Sequence, residues 1–259
     1  MPPTLEIDTA ALKELPGLWG ELHRLLGPNA LAFLGRVYAG GLGKYQRRLQ
    51  SLGFAQRGCV LDAGCGLGQW SLSLAGMCRQ VLGLDISRER VAACQKLSQA
   101  VNCPNLAFSV GILEALPFPD ACFDAAVCYS VLYLTDYRRA LPEIGRTLRP
   151  GGLFYLSTNG LGRFLYDIIK RPNPAPDFDP RRYGLLTLKN TILGRRSGLS
   201  AETGAVAMNR GVTVKVLQGA DFEVLAVGPE GRMGGAQESF VPGKFWGLDS
   251  AFDVLARKV

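Results

Sequence analysis

Two features 23 residues apart could together hold a nucleoside. One is the stretch Val60-Leu61-Asp62-Ala63-Gly64-Cys65-Gly66-Leu67-Gly68, an apolar run entering a glycine-rich turn. The other is Asp85, which ends the next apolar run, Val81-Leu82-Gly83-Leu84. Glycines at 64, 66 and 68 permit backbone angles closed to other residues and remove the Cβ atoms that would keep a ligand off the main chain. An acid at the carboxyl end of strand two of a doubly wound sheet lies beside the ligand crevice, where its oxygens can accept both ribose hydroxyls. Each feature alone has a plainer explanation: glycine turns close ordinary strand–helix connections, and Asp85 could cap a helix starting near Ser87. A dinucleotide fold wants G-x-G-x-x-G with a pyrophosphate on the helix N-terminus. Here the third glycine comes one residue early and Gln69 follows it, which suits a phosphate-free ligand.

Other chemistry is sparsely supplied. The seven cysteines (59, 65, 78, 94, 103, 122 and 128) include no C-x-x-C pair and read as small core residues of a reducing compartment. With one histidine, His23, a zinc site is hard to assemble, and no metal is expected. His23 is nonetheless the one side chain whose ordinary pKa suits a base at neutral pH, so it is a catalytic candidate despite its place on a leucine-rich helix. The opening residues hold neither a basic leader nor a long apolar run, so a cytoplasmic protein is expected.

These groups must be positioned by an α/β framework. At 259 residues, 47% hydrophobic and 20% charged, the chain suits one large domain. From residue 58, short apolar runs alternate with amphipathic stretches, which predicts parallel strands joined by helices. Strands are expected at 59–63, 80–84, 106–110, 123–128 and 153–157, the last after an Arg149-Pro150-Gly151-Gly152 turn. Helices are expected at 69–78, 87–100 with Ser87 as N-cap, and 136–147. Residues 1–57 form a helical cap, with helical patterns at 9–26 and 30–52 broken by glycine. After Asn159 regularity fails for over fifty residues, in which prolines at 172, 174, 176 and 180 separate the apolar-basic pieces 161–170 and 183–193. A helix near 212–217 and strands at 222–227 and 251–256 complete the chain.

The stretch 58–157 resembles the class I S-adenosylmethionine-dependent methyltransferases, in particular small-molecule methyltransferases similar to those of ubiquinone biosynthesis. The resemblance rests on Val60 to Gly68, Leu82 to Ser87, Glu114 to Asp124 and Arg149 to Gly152. It implies a Rossmann-like seven-stranded sheet, mostly parallel with an antiparallel last strand, and a lid inserted after strand five. It implies S-adenosyl-L-methionine as cofactor and S-adenosyl-L-homocysteine as product. Asp62, Gly64, Cys65, Gly66 and Gly68 would hold the methionine part, Asp85 the ribose, and Ile86 with Ile112 and Leu113 the two faces of adenine. Cys128 would lie near the sulfonium. Two departures stand out. Ile112 replaces the usual acid, leaving adenine to backbone groups, and Tyr133 stands where many relatives have a histidine. Tyr129 and Tyr133 then lie nearest the methyl position, Tyr133 as a second catalytic candidate.

Net charge is concentrated in the insertion. Residues 160–215 hold ten Lys or Arg against four acids, a local +6 in a chain of +7. Such a field suits an anionic or lipid-linked small-molecule acceptor, drawn by Arg163, Lys170, Arg171, Arg181, Arg182, Arg195 and Arg196, and Leu161 to Lys170 could lie on a membrane interface. No nucleic-acid partner is expected, because no aromatic-basic platform accompanies the charge. The alternative is a non-catalytic protein that keeps the fold and binds the cofactor as a partner or sensor.

Overall fold

A computed structural model describes residues 17–194, 204–234, 239–240 and 243–259. Its centre is a seven-stranded sheet: β1 (Cys59–Ala63), β2 (Gln80–Asp85), β3 (Leu106–Val110), β4 (Phe123–Tyr129), β5 (Leu148–Asn159), β6 (Phe222–Pro229) and β9 (Ala251–Lys258). The order is β3-β2-β1-β4-β5-β9-β6. Pairs from β3 to β5 are parallel, and β9 runs antiparallel to both β5 and β6. This is the expected sheet with its antiparallel last strand. The order reverses between β1 and β4, the switch point at which open α/β sheets present a ligand crevice.

Successive residues of the central strands feed opposite core layers. Val60, Ala125 and Val127 pack under the N-terminal helices α1 (Leu18–Leu25), α2 (Pro28–Tyr38) and α3 (Gly43–Ser51), with α4 (Gln69–Ala75) and α5 (Arg88–Ala100). Leu61, Ala126 and Cys128 pack under α6 (Tyr137–Thr147) and α9 (Arg210–Gln218). With both faces covered, the strands read as apolar runs rather than alternating ones. Ser87 caps α5 by accepting a hydrogen bond from the Arg90 N–H at 3.2 Å, as the sequence suggested.

β5 differs from expectation. It begins at Leu148, which pairs with Phe123, and takes Arg149 to Gly152 into an irregularity of the strand instead of a turn before it. Gly151 absorbs the irregularity at φ 78°. The two apolar-basic pieces beyond β5 are helices, α7 (Leu161–Lys170) and α8 (Pro180–Ile192). α8 starts three residues earlier than its apolar pattern because Asp179 caps it and Pro180 occupies its first turn. A two-stranded hairpin, β7 (Lys244–Phe245) with β8 (Leu248–Asp249), packs beside α7 and was not foreseen. Among the described residues no helix is long and apolar enough to cross a membrane. Leu12 and Leu15 of the first helical pattern, and Arg195 and Arg196 of the basic insertion, lie outside the described residues.

Candidate functional site

The glycine turn is stitched to the neighbouring strand. Gly64 and Cys65 both donate their backbone N–H to the Leu84 carbonyl, at 2.8 and 2.9 Å, and Gly68 closes the turn on the Cys65 carbonyl at 2.9 Å. All three glycines have positive φ, but their missing Cβ atoms serve different neighbours. A Cβ on Gly64 would stand 2.5 Å from Val131, and one on Gly68 3.1 Å from the Cys94 sulfur, so these two make room for protein. A Cβ on Gly66 would meet nothing within 4 Å and points into open space, the side a ligand would occupy. Cys65 is buried against Cys94, whose thiol, aided by burial, pushes the Cys65 thiol up and keeps it protonated. From above, α2 lays Tyr38 on the turn, its hydroxyl donating to the Leu67 carbonyl at 2.8 Å.

Asp85 is fixed from both sides. Its Oδ2 accepts the Gly66 N–H at 2.9 Å and its Oδ1 the Ser87 N–H at 3.0 Å, so the carboxylate braces the turn while each oxygen keeps a lone pair for another donor. Flanking it, Ile86 is 65% exposed and Ile112 44% exposed, two large apolar side chains held in solvent at the carboxyl ends of β2 and β3. Leu113 turns inward and is buried among Leu61, Ala63 and Leu84, so its side chain backs the site from the core. Asp62 is buried beneath the turn, and Ser71 on α4 donates to it at 2.5 Å. Burial pushes its carboxyl up to about 7, opposed by the Ser71 hydrogen bond and reinforced by the charge of Asp85. Gln69, the first residue of α4, keeps its side-chain oxygen buried and without a partner among the described residues. An unused acceptor, a buried carboxyl, an open glycine, a braced acid and two exposed isoleucines fit a ligand with an ammonium, a ribose and an adenine. From sequence, Gln69 argues only against a pyrophosphate; its buried, unpartnered oxygen adds it to the candidate site.

The acceptor candidates separate. Cys128 is wholly buried at the end of β4, and burial pushes its thiol well up. Tyr129 packs into the layer of the N-terminal helices: its ring lies 4.6 Å from Trp70 and its hydroxyl donates to Glu230 at 2.9 Å. Glu230 also pairs with the buried Arg48 guanidinium and accepts from the Ser239 hydroxyl at 2.6 Å and the Phe240 N–H at 2.9 Å. Tyr129 therefore belongs to a buried polar brace between α3 and the C-terminal segment. Tyr133 follows β4 in a 3-10 turn and sits 5.7 Å from Phe164 of α7, joining the mouth of the site to the insertion. Ser130, between them, holds φ 56° and accepts from the Asn159 side chain at 3.2 Å, placing two polar groups at the ends of β4 and β5. Neither was singled out from sequence, where a lone Ser and Asn carry no signal.

His23 is not brought to these groups. It is exposed on α1, which packs on α5, and its helical position rather than any pocket fixes it there. Arg181 and Arg182 are exposed in the first turn of α8, without an ion-pair partner among the described residues. Three other insertion cations are already engaged: Arg163 Nε reaches both oxygens of the buried Asp167 at 3.0 and 3.1 Å, Arg171 lies 3.6 Å from Asp179, and Arg210 pairs with Asp249 at 3.0 Å.

The strand order with its antiparallel last strand is that of the class I methyltransferase fold, and the glycine turn and the braced Asp85 lie at the carboxyl ends of β1 and β2. Residues 61–156 match the family described as Methyltransferase domain. That segment is a methyltransferase domain similar to S-adenosylmethionine-dependent enzymes, and the fold around it is the class I methyltransferase fold. An uncharacterized methyltransferase of Bacillus subtilis strain 168, YcgJ, is 35% identical over 98 residues, 38% of this chain and 39% of its own. The malonyl-[acyl-carrier protein] O-methyltransferase of Erwinia billingiae is 40% identical over 102 residues, 38% of each chain. The solved structure of YcgJ superposes with a TM-score of 0.58 at 17% identity, over 83% of this chain and 98% of that one. Geranyl diphosphate methyltransferase in complex with S-adenosylmethionine superposes at 0.60 and 17% identity, over 98% and 96%. The chain matches about two fifths of the length of these curated relatives.

Proposed function

We propose that this chain, as one domain with residues 160–215 as its acceptor lid, moves a methyl group from S-adenosylmethionine to an anionic or lipid-linked small molecule in the cytoplasm. The observation that carries the reading is Asp85, held between the Gly66 and Ser87 N–H groups and flanked by exposed Ile86 and Ile112. Asp85 binds the ribose, and Ile86 and Ile112 sandwich the adenine with Leu113 behind. Asp62, Gln69 and the 64–68 turn receive the methionine end, with Cys128 closing the floor. When bound, the cofactor supplies an electrophilic methyl carbon on a good leaving group. Positioning can then provide much of the rate, up to about 7–11 kcal/mol in favourable cases.

Tyr133 is the residue we assign to acceptor contact, from its place between the site mouth and α7; His23 has no place in this mechanism. The exposed Arg181 and Arg182 support an anionic acceptor, as does the malonyl-carrier substrate named for the Erwinia relative. A lipid-linked acceptor would bring the lid to a membrane surface. Calorimetry with S-adenosylhomocysteine tests the half-site. Asp85→Ala should weaken binding at least about 100-fold, since hydrogen bonds to a charged group contribute ~1.5–3 kcal/mol each. Equal binding by wild type and variant would overturn the reading. A methyl-transfer screen over carrier-bound acids, glycolipid precursors and quinols then identifies the acceptor.

A further inference from the structure

The hairpin beyond the lid carries an unusual side chain. Its two-residue turn is Trp246-Gly247, with φ 50° and 77°. Such turns favour Asn or Asp before Gly, and a bulky aromatic with positive φ is strained. Among the described residues the strain gains no core packing: Trp246 is 72% exposed and stacks only on the neighbouring Phe245 ring, at 5.1 Å. Nor is the tip free to fold away. Gly160 donates its N–H to the Ser250 carbonyl at 2.9 Å, a Cβ on Gly162 would stand 2.4 Å from the Leu248 carbonyl oxygen, and the Phe245 and Tyr166 rings meet at 5.5 Å.

The tip continues an apolar surface. On α7, Leu161 and Ile169 share the row of residues four apart that faces away from the buried Phe164 and Asp167, and both are exposed. α8 crosses α7 at Gly184, where a Cβ would stand 2.7 Å from the Phe164 carbonyl oxygen. Just past that seam, Leu185 and Ile192, seven residues apart on one face of α8, are 52% and 82% exposed. Around this surface Lys170, Arg181, Lys189 and Lys244 are exposed and have no ion-pair partner among the described residues. The acids nearby are engaged: Asp177 accepts the Asn29 N–H, Asp179 lies by Arg171, and Asp249 pairs with Arg210 at 3.0 Å.

We infer that Trp246, with the outer rows of α7 and α8, is a docking surface for an anionic lipid bilayer. An aromatic tip, aliphatic rows and a cationic rim match the layers of a membrane interface: acyl boundary, headgroup level and negative surface charge. A second copy of the chain is disfavoured as occupant, because the pairing would bring one cationic rim against another. The inference rests on the reading of 160–215 as a lid and names the surface on which that lid sits.

Co-sedimentation of the full chain with phosphatidylcholine vesicles, alone and with about one quarter phosphatidylglycerol, is the test. The expected result is selective binding to the anionic vesicles, weakened by 0.5 M salt to a large extent because the screening length falls to a few ångströms. Trp246→Ser combined with Ile169→Ser should lower the partition about tenfold, with S-adenosylhomocysteine affinity and melting temperature unchanged. Failure to bind anionic vesicles, or binding that both substitutions leave intact, would overturn the inference. So would a dimer in sedimentation velocity that Leu185→Glu dissociates while vesicles recover no protein. Because the vesicles contain no acceptor, vesicle binding without turnover of any lipid-linked molecule would support this surface and overturn only the acceptor reading.

Discussion

The glycine turn and the insertion after β5 are built on opposite principles. At the turn nearly every group is placed by main chain: the turn hangs on the Leu84 carbonyl, and Asp85 is gripped by two backbone N–H groups. The insertion is placed by side chains, through the Arg163–Asp167 pair, the Phe164–Tyr133 ring contact and the close seam at Gly184. Backbone placement tolerates wide changes of sequence around a few fixed residues, and the family match spans 61–156 and stops just before the insertion begins. Side-chain placement ties position to composition.

The strongest way to break the contrast is to remove side-chain support elsewhere. Arg48 and Glu230 form a buried ion pair whose remaining oxygens are taken by Tyr129, Ser239 and Phe240. Glu230→Ala leaves the Arg48 charge buried without its carboxylate and should cost about 3–5 kcal/mol in urea unfolding, whereas S-adenosylhomocysteine affinity of the folded protein should hold. The glycines sharpen the same contrast. Gly64→Ala drives a Cβ into Val131 at an unfavourable φ, a cost of about 3 kcal/mol from overpacking and backbone strain together. Gly66→Ala carries only the strain, about 1 kcal/mol, but should lose most cofactor affinity, because its Cβ would point into the ligand's space. Equal stability losses with equal affinity losses would show that both glycines serve the same neighbour.

Legibility followed the same division. β1 and β3 fall where their apolar runs place them, and Asp85 stands out in sequence because a parallel strand has one end that faces the crevice. Ser71 and Asp62 become a pair only when α4 turns back over β1, a contact between residues whose local pattern says strand and helix and nothing about polarity. Tyr129 and Tyr133 are both expected near the methyl position, Tyr133 as the catalytic candidate; strand pleating sends Tyr129 to Trp70 and Glu230, while the 3-10 turn carries Tyr133 to α7. Ser130 acquires meaning from its backbone angle, and the β7–β8 hairpin from glycines at 160 and 162 that accept its close approach. Both depend on long-range geometry that spacing does not encode.

Asp62 offers a test by pH. Its carboxyl is pushed up to about 7 in the folded chain, against 3.8 ordinarily. Between these values the folded state holds a proton that the unfolded state has released, so stability falls as pH rises through this window and levels off above it. The slope should reach at most about 1.4 kcal/mol per pH unit. Asp253, lifted to about 6 by burial, adds to the lower part of the same window. Asp62→Asn should flatten the 62-dependent slope in melting curves taken from pH 5 to 8, about the range in which these groups titrate. An unchanged slope would place the titration elsewhere. S-adenosylhomocysteine, through its ammonium, should bind better on the alkaline side in wild type and lose that preference in the variant.

The smallest stability effect carries the most information about the acceptor. Arg181 and Arg182 sit in the first turn of α8, at the positive end of the helix dipole, where cations are unfavourable and acids are preferred. Local stability therefore gives no reason for them. Replacing both with Glu should stabilise α8 slightly, by about 0.3–1 kcal/mol per site, while leaving cofactor affinity untouched. If they draw an anionic acceptor, the same variant should raise KM several-fold at low salt and converge with wild type as ionic strength screens the field. A variant that gains stability and keeps its KM at every salt concentration would reduce the cationic lid to a solvated surface, leaving the acceptor to be recognised by Tyr133 and the apolar walls beneath it.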